Sequence, residues 1–205
     1  MPAPRIEISL AKLIHNARTV RSLYASKRIS VTAVTKGVCG STKIAEALLK
    51  SGIRSIGDSR IANLRKMREI GLEAEFMLVR LPMVSEIESV IEFADISLNT
   101  EARVIRALSE EAVRRGRIHR VLLMVELEDR GNVRRAILAL GRQDIEVSAL
   151  RPREGASVLG ASSDHLILDI GDLRLRVGDE VRFDIGYGAL LRAMSSPFVE
   201  QVYLS

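Results

Sequence analysis

The stretch Ile29-Ser-Val-Thr-Ala-Val-Thr-Lys36-Gly-Val-Cys-Gly40 decides how this sequence is interpreted. An apolar run rich in β-branched residues ends in Lys36, and the chain then breaks at Gly37 and Gly40. Such a run is typical of a buried strand in a parallel sheet, and the break indicates a loop that leads into a helix. In β/α barrels the carboxyl ends of the strands carry the chemistry, and a lysine shielded there from water suits Schiff-base formation. A solvated lysine just beyond a strand is the open alternative.

The composition is that of an ordinary globular chain. Of the 205 residues, 47% are hydrophobic and only 3% are aromatic, so the core must be aliphatic. The net charge is +5, but the arginines lie beside glutamates on helical patterns, which favours solvated helix faces over a nucleic-acid surface. Cys39 is the only cysteine, and the longest apolar runs are too short to span a bilayer. We expect a cytoplasmic protein that has no intramolecular disulfide and binds neither nucleic acid nor membranes.

Four further apolar runs follow the first at a steady interval, each after a helical pattern. The predicted strands end near residues 36, 57, 80, 98 and 126. Strands that alternate with helices in this way form a parallel sheet with right-handed crossovers. A Gly-x-Gly-x-x-Gly turn and a phosphate-binding loop are both absent from the sequence, which weighs against a nucleotide-binding sheet and favours a barrel.

Several local features are predicted around these strands. Residues 5–9 alternate between apolar and polar side chains, which indicates a short strand. Ser85-Glu-Ile-Glu88 has the spacing of a capping box, and Asn99 is a candidate N-cap for the helix that follows it. A helix with one apolar stripe is predicted after residue 9, formed by Leu10, Leu13, Ile14, Ala17, Val20, Leu23 and Tyr24.

After Leu127 the alternation of strand and helix patterns ends. Short apolar runs follow, separated by Gly, Pro and Asp, with no room for helices. This is an all-β pattern. The predicted strands cover residues 136–140, 145–147, 157–160, 166–170, 181–185 and 199–204. The fold class expected is therefore α/β: a partial TIM-type (β/α) barrel of about five units over residues 1–128, followed by a small all-β C-terminal domain over residues 129–205.

Several stretches resemble the alanine-racemase-like enzymes of fold type III, and most of all the ornithine racemase branch. In the first domain they include Val34-Thr-Lys-Gly-Val-Cys-Gly40, Gly57-Asp-Ser-Arg60 and Ser97-Leu-Asn99. In the second domain they are residues 137–144, 159–169 and 187–194. The resemblance covers nearly the whole chain.

The resemblance implies an amino-acid racemase that uses pyridoxal 5′-phosphate. The cofactor would be held by the first domain in an internal Schiff base on Lys36 and would act as an electron sink when the α proton leaves. Tyr187 and Arg130 match residues that hold the cofactor, and Ser163 and Asp164 match a segment that lines the substrate entrance. The family is usually a homodimer, so a second copy of the chain and a small amino-acid substrate are the expected partners.

Position alone adds Arg80 and Asn99 as candidate substrate-binding residues, because each ends a predicted barrel strand. A basic substrate would also need a carboxylate near the barrel mouth, and Asp58, Glu126 and Asp164 are candidates. No His, Cys or Asp cluster in the sequence has the spacing of metal ligands, so no metal is expected.

The chain departs from the family in its length. A complete barrel has eight strands and about 250 residues, whereas only five units precede the second domain here. Three explanations stay open: another chain completes the barrel, the strands form an open sheet, or the chain is an internally deleted homologue. The alternative function is accordingly that of a truncated or degenerate homologue that binds pyridoxal phosphate without catalytic activity.

Overall fold

The chain divides into two compact units, Met1–Met124 and Val125–Ser205. The computed structural model describes residues 5–124 and 133–203. The predicted domain boundary between residues 128 and 129 lies outside the described residues and stays a prediction.

The first unit is a five-stranded parallel sheet in the order β1-β2-β3-β4-β5. The strands are β1 (Thr32–Val34), β2 (Ser55–Asp58), β3 (Glu75–Leu78), β4 (Ile96–Asn99) and β5 (Arg120–Leu123). The helices are α1 (Leu10–Ala25), α2 (Thr42–Lys50), α3 (Ile61–Glu69), α4 (Ile87–Phe93) and α5 (Ala102–Arg114). Four successive β-α-β crossovers thus confirm the predicted parallel order, although the strands are shorter than the apolar runs suggested.

One face of the sheet packs against the helices and forms the core. Its centre is Ile56 and Phe76, which are paired across β2 and β3 and fully buried. The core is aliphatic apart from Phe76, as the composition predicts. The helices contribute Ile44, Leu48, Leu64, Met67, Val90, Ile91, Val104 and Leu108.

The sheet is open rather than closed into a barrel. Within the described residues, β1 pairs only with β2, and β5 pairs only with β4. Val34 on β1 and Leu122 on β5 are about half exposed, at 49% and 46%. The structure therefore has the five units that the sequence predicts, arranged as part of a barrel.

Some local predictions in the first unit are wrong. Residues 5–9 are not a strand: Ile6 is 89% exposed, and Ser9 instead caps α1 by accepting the Lys12 N–H at 3.4 Å. The alternating pattern is present, but no described strand lies beside it to form a ladder. The stripe on α1 is helical as predicted, yet only Ala17 in it is buried.

The second unit contains two antiparallel sheets and one helix. One sheet has the order β6-β9-β8, from Arg135–Leu138, Leu166–Asp169 and Ser157–Ala161, and the other pairs β7 (Leu150–Pro152) with β10 (Phe183–Ile185). Residues 145–147 and 199–203, two of the predicted runs, are not strands. The helix α6 (Tyr187–Ser195) was not expected in an all-β pattern, and it buries Ala189 against the core around Leu166 and Leu168.

Candidate active site

Lys36 lies just beyond the carboxyl end of β1, at the first position of a 3-10 turn over Lys36–Val38. The backbone on its N-terminal side is held firmly. The N–H of buried Thr35 donates to the Gly57 carbonyl at 2.8 Å, and the Thr35 carbonyl accepts the N–H groups of Val38 at 3.0 Å and Gly40 at 3.2 Å. The lysine side chain itself is half-buried. These hydrogen bonds anchor the backbone of Lys36 at the carboxyl end of the sheet.

Asp58 ends β2, next to Thr35, and is completely buried. Its Oδ2 accepts the Thr35 hydroxyl at 2.7 Å, and its Oδ1 accepts the Arg60 N–H at 2.9 Å and the Asn63 amide at 3.0 Å. Both carboxylate oxygens are therefore used inside the chain. Asp58 was a candidate for binding the side-chain amine of a basic substrate, and its burial and its three donors oppose that role.

Arg80 follows β3 and has only 1% of its side chain exposed. Its Nε donates to the Ser59 carbonyl at 2.9 Å, and its Nη2 pairs with both oxygens of Glu86 at 2.8 Å. Glu86 also accepts the Met83 N–H at 3.2 Å, so the helical cap here runs from Met83 to Glu86 and not from Ser85 to Glu88 as predicted. The guanidinium joins the loops that follow β2 and β3. Its Nη1 is buried and has no hydrogen-bond partner among the described residues.

Asn99 ends β4 and is also 1% exposed. It does not cap α5, which begins at Ala102 after Glu101. Its amide donates to Ser97 Oγ at 2.9 Å, and Ser97 Oγ lies 2.8 Å from His119 Nε2. Its Oδ1 is buried without a partner in the part of the chain that the structure describes.

Both ring nitrogens of His119 take part in this network. Its Nδ1 lies 3.2 Å from the Ala94 carbonyl, which can only accept, so Nδ1 carries the proton and Nε2 accepts the Ser97 hydroxyl. Burial lowers the pKa of His119, and the hydrogen bond to Ala94 opposes that shift in part. Through Ser97, His119 supports the strand that carries Asn99.

The remaining predicted site residues belong to the second unit or lie outside the description. Tyr187 begins α6 and is 80% exposed. Ser163 and Asp164 lie in the turn between β8 and β9, where the Ser163 hydroxyl donates to Asp164 Oδ2 at 3.1 Å and Asp164 is buried. Arg130 and Glu126 fall outside the described residues.

The turn that carries Ser163 and Asp164 is fixed by close packing against Gly141. A Cβ at Gly141 would lie 2.3 Å from the Ser163 carbonyl oxygen, so only glycine fits there. The N–H of Gln143 also donates to the Ser163 carbonyl, at 3.0 Å. Two of the three stretches of the second domain that carried the resemblance, residues 137–144 and 159–169, therefore pack on each other.

The described residues meet neither the requirements of a metal site nor those of a membrane-spanning helix. No group of three or more His, Cys, Asp or Glu side chains within residues 5–124 and 133–203 is placed to hold a metal ion. None of the helices seen in those ranges is long and apolar enough to cross a membrane. A surface depression between α4 and α5 is lined by Val84, Ile87 and Arg114, among others, and does not include Lys36, Arg80 or Asn99.

Sequence reasoning singled out Lys36, Asp58 and Arg80 but not the residues around them. Thr35 and Asn63, which bond Asp58, and Glu86, which pairs with Arg80, have no signature of their own, because a threonine, an asparagine and a glutamate are common on loops and helix starts. The one available signal was the order of a parallel sheet, which places the residues that follow adjacent strands side by side. That order would have brought Thr35 next to Asp58.

Two curated racemases align with nearly the whole chain. Ornithine racemase of Acetoanaerobium sticklandii is 23% identical over 353 positions, which cover 98% of this chain and 99% of that protein. Lysine racemase of Thermotoga maritima is 25% identical over 350 positions, which cover 99% of both. The first alignment is 148 positions longer than the 205 residues of this chain, so at least that many positions inside the relative have no counterpart here.

The fold is shared with a solved enzyme structure. D-threonine aldolase from Filomicrobium marinum superposes with a TM-score of 0.55 at 18% identity, over 63% of this chain and 36% of that enzyme. The profile of the alanine racemase N-terminal domain matches residues 8–134, which is more than half of the chain and includes the whole described sheet. The chain therefore belongs to the alanine racemase N-terminal domain family, as its motifs predicted.

Proposed function

We propose that this protein is a pyridoxal-phosphate-dependent amino-acid racemase in which Lys36 binds the cofactor covalently. One observation carries the proposal: a half-buried lysine stands at the carboxyl end of β1, on a backbone fixed by buried hydrogen bonds, in a chain of this family. The family indicates dependence on pyridoxal phosphate. The two racemases that align over the full chain support an amino acid as substrate, with ornithine and lysine as the first to test.

The residues at the end of the sheet fit such a cofactor. An aldehyde needs a primary amine that is placed and partly shielded, which Lys36 supplies. Arg80 Nη1 and Asn99 Oδ1 are a buried donor and a buried acceptor without partners in the described residues. Arg80 follows β3 and Asn99 ends the adjoining strand β4, so both lie at the carboxyl end of the sheet. When bound, the cofactor would supply an electron sink for the carbanion that forms at the α-carbon.

Each residue of this chain has a proposed task. Lys36 Nζ holds the cofactor and, when released, moves the α proton on one face of the substrate. Tyr187 and Arg130 bind the cofactor. Arg80 and Asn99, at the carboxyl end of the sheet, bind the substrate, and substrate binding is also the task proposed for Ser163 and Asp164. We further propose a homodimer, which light scattering of the purified chain would test by its mass.

Covalent labelling tests the proposal directly. The purified chain is incubated with pyridoxal phosphate, reduced with borohydride, and its modified peptides are mapped. We expect one phosphopyridoxyl group per chain at Lys36, lost in Lys36→Ala and kept in Lys43→Ala, which removes an exposed lysine seven residues further along. Labelling that is absent, or spread over many lysines, would overturn the proposal.

Exchange of the α proton separates the two candidate functions. The positions of ornithine racemase that have no counterpart in this chain favour the second candidate, a homologue that binds the cofactor without catalysis. Incubation of the holoenzyme with L-ornithine, L-lysine and L-alanine in D2O, followed by mass spectrometry and chiral chromatography, distinguishes them. Deuterium incorporation together with the D-isomer indicates a racemase, whereas labelled Lys36 without exchange indicates the non-catalytic homologue.

A further inference from the structure

The loop that carries Lys36 is fastened to the start of α3 through one buried carboxylate. We propose that Asp58 is a positioning residue for Lys36, acting through Thr35 and the loop backbone; this inference rests on the proposed function. The Asp58 side chain does not need to touch cofactor or substrate in this role. Its task is to fix the point from which the lysine side chain leaves the backbone.

The contacts of Asp58 reach two elements at once. The Thr35 hydroxyl comes from the residue just before Lys36, while the Arg60 N–H and the Asn63 amide belong to the first turn of α3. The bond to Thr35 is 2.7 Å long and its acceptor is a carboxylate shielded from water, the kind of hydrogen bond that is strongest in proteins. The Asp58 side chain therefore fixes the distance between the loop that carries Lys36 and the start of α3.

A second contact, between Gly40 and Asn63, holds the C-terminal end of the same loop. Gly40 has φ +61°, and a Cβ added to it would lie 2.5 Å from Asn63 Cγ, so the backbone of the loop presses on the side chain that also bonds Asp58. The Gly40 N–H returns to the Thr35 carbonyl at 3.2 Å. The two ends of the loop, Thr35 and Gly40, are thus buried and held in place, and this fixes the backbone from which the Lys36 side chain leaves.

Such fixing matters for a lysine that must meet an aldehyde and a substrate proton. A displacement of about 1 Å in a reacting group can lower a rate by about a hundredfold. The purely structural role for Asp58 is to fix the start of α3, which needs only the Arg60 N–H and the Asn63 amide. The Thr35 hydroxyl is the part of the network that this structural role does not require, so it is the group to remove.

A matched pair of substitutions isolates that hydroxyl. Thr35→Val removes the group that bonds Asp58, while Thr32→Val makes the same change at the start of β1, where the hydroxyl donates to Ser55 Oγ at 3.0 Å. The measured quantity is the initial rate of pyridoxal phosphate labelling at Lys36, trapped with borohydride and divided by the rate at Lys43 in the same molecule. Site-specific acetylation of the two lysines in the cofactor-free protein provides a second readout.

We expect Thr35→Val to lower the Lys36 to Lys43 labelling ratio by about tenfold, because the loop then samples other conformations. Thr32→Val should stay within about twofold of the starting protein, and Thr35→Ser, which keeps the hydroxyl, should do the same. Thermal unfolding of each variant shows that the compared samples are folded. If Thr35→Val does not fold, Asn63→Ala removes a donor of the same carboxylate and should give a ratio below that of Thr32→Val.

The outcomes keep the two proposals apart. A starting protein that is not labelled at Lys36 overturns the proposed function. Labelling of Lys36 in the starting protein, with equal ratios in folded Thr35→Val and Thr32→Val, overturns the positioning role and leaves the proposed function standing. Asn63→Ala at the level of Thr32→Val would count against it in the same way.

Discussion

The two ends of the five-stranded sheet hold their charged residues differently. At the carboxyl end, Asp58 and Arg80 are buried and hydrogen-bonded within the chain. At the amino end, Glu75 and Arg120 form an ion pair in solvent, with 38% and 58% of their side chains exposed. A buried charge is costly unless every one of its partners is in place, while an exposed pair gains little from its geometry. The carboxyl end is thus the part of the sheet whose shape depends on specific polar contacts. It is also the end where Lys36 stands.

The largest effect is expected from breaking the buried pair of Arg80 and Glu86. Glu86→Ala leaves the guanidinium, 1% exposed, without its carboxylate, and should lower the free energy of unfolding by about 3 kcal/mol. Glu69→Ala is the matched control, since Glu69 pairs with Arg65 on the surface of α3 with about half of each side chain exposed, and its effect should be several times smaller. Urea unfolding followed by circular dichroism measures both. Equal losses in the two variants would show that burial does not separate the two pairs.

A second contrast uses two glycines with almost the same backbone angle. Gly40 has φ +61° and meets Asn63, while Gly116, after α5, has φ +60° and open space around the position of a Cβ. Gly116→Ala should cost about 1 kcal/mol of stability from backbone strain alone, and Gly40→Ala about 2 kcal/mol because overpacking is added. Thermal and urea unfolding compare them. Similar losses would mean that Asn63 moves aside without cost, which would weaken the case for a tightly held lysine loop.

The pH dependence of stability should report the buried His119. Because its folded pKa lies below the unfolded value of about 6.5, the unfolded chain binds more protons as the pH falls. The stability that neutral His119 contributes is therefore present above pH about 6.5 and is lost as the pH falls toward the folded pKa. His119→Gln should flatten the pH dependence of the unfolding free energy between about pH 7.5 and about pH 5. An unchanged slope in that variant would contradict the neutral, buried state.

The smallest effect is expected at the amino end. Glu75→Gln removes the exposed pair with Arg120 and should change the free energy of unfolding by less than about 1 kcal/mol. The difference from the starting protein should shrink further in about 1 M salt, where the screening length is about 3 Å. Urea unfolding at low and high salt measures it. A loss as large as that of Glu86→Ala would remove the distinction between the two ends of the sheet.

Local patterns predicted the parts of the fold that depend on short-range order. The β-branched run before Lys36 and the helical stripes between strands are patterns of residues that lie close together in the sequence. Five β/α units and the placement of Lys36 after β1 could therefore be predicted. The helix α6 could not, because Gly188 and the short apolar run around it fit a strand as well as a helix. Residues 5–9 show the reverse error, since their alternating pattern has no described strand to pair with.

The sequence by itself determined the parallel order of strands, the aliphatic core and the lysine at the end of β1, since each follows from side-chain periodicity along a few turns or strands. Only the tertiary structure decided which partners hold that lysine in place. Thr35 and Asp58 are 23 residues apart, and Ser97 and His119 are 22 apart, so each bond forms only once neighbouring strands lie side by side. Burial then makes those bonds obligatory, because a polar group taken from water must find its partner within the fold.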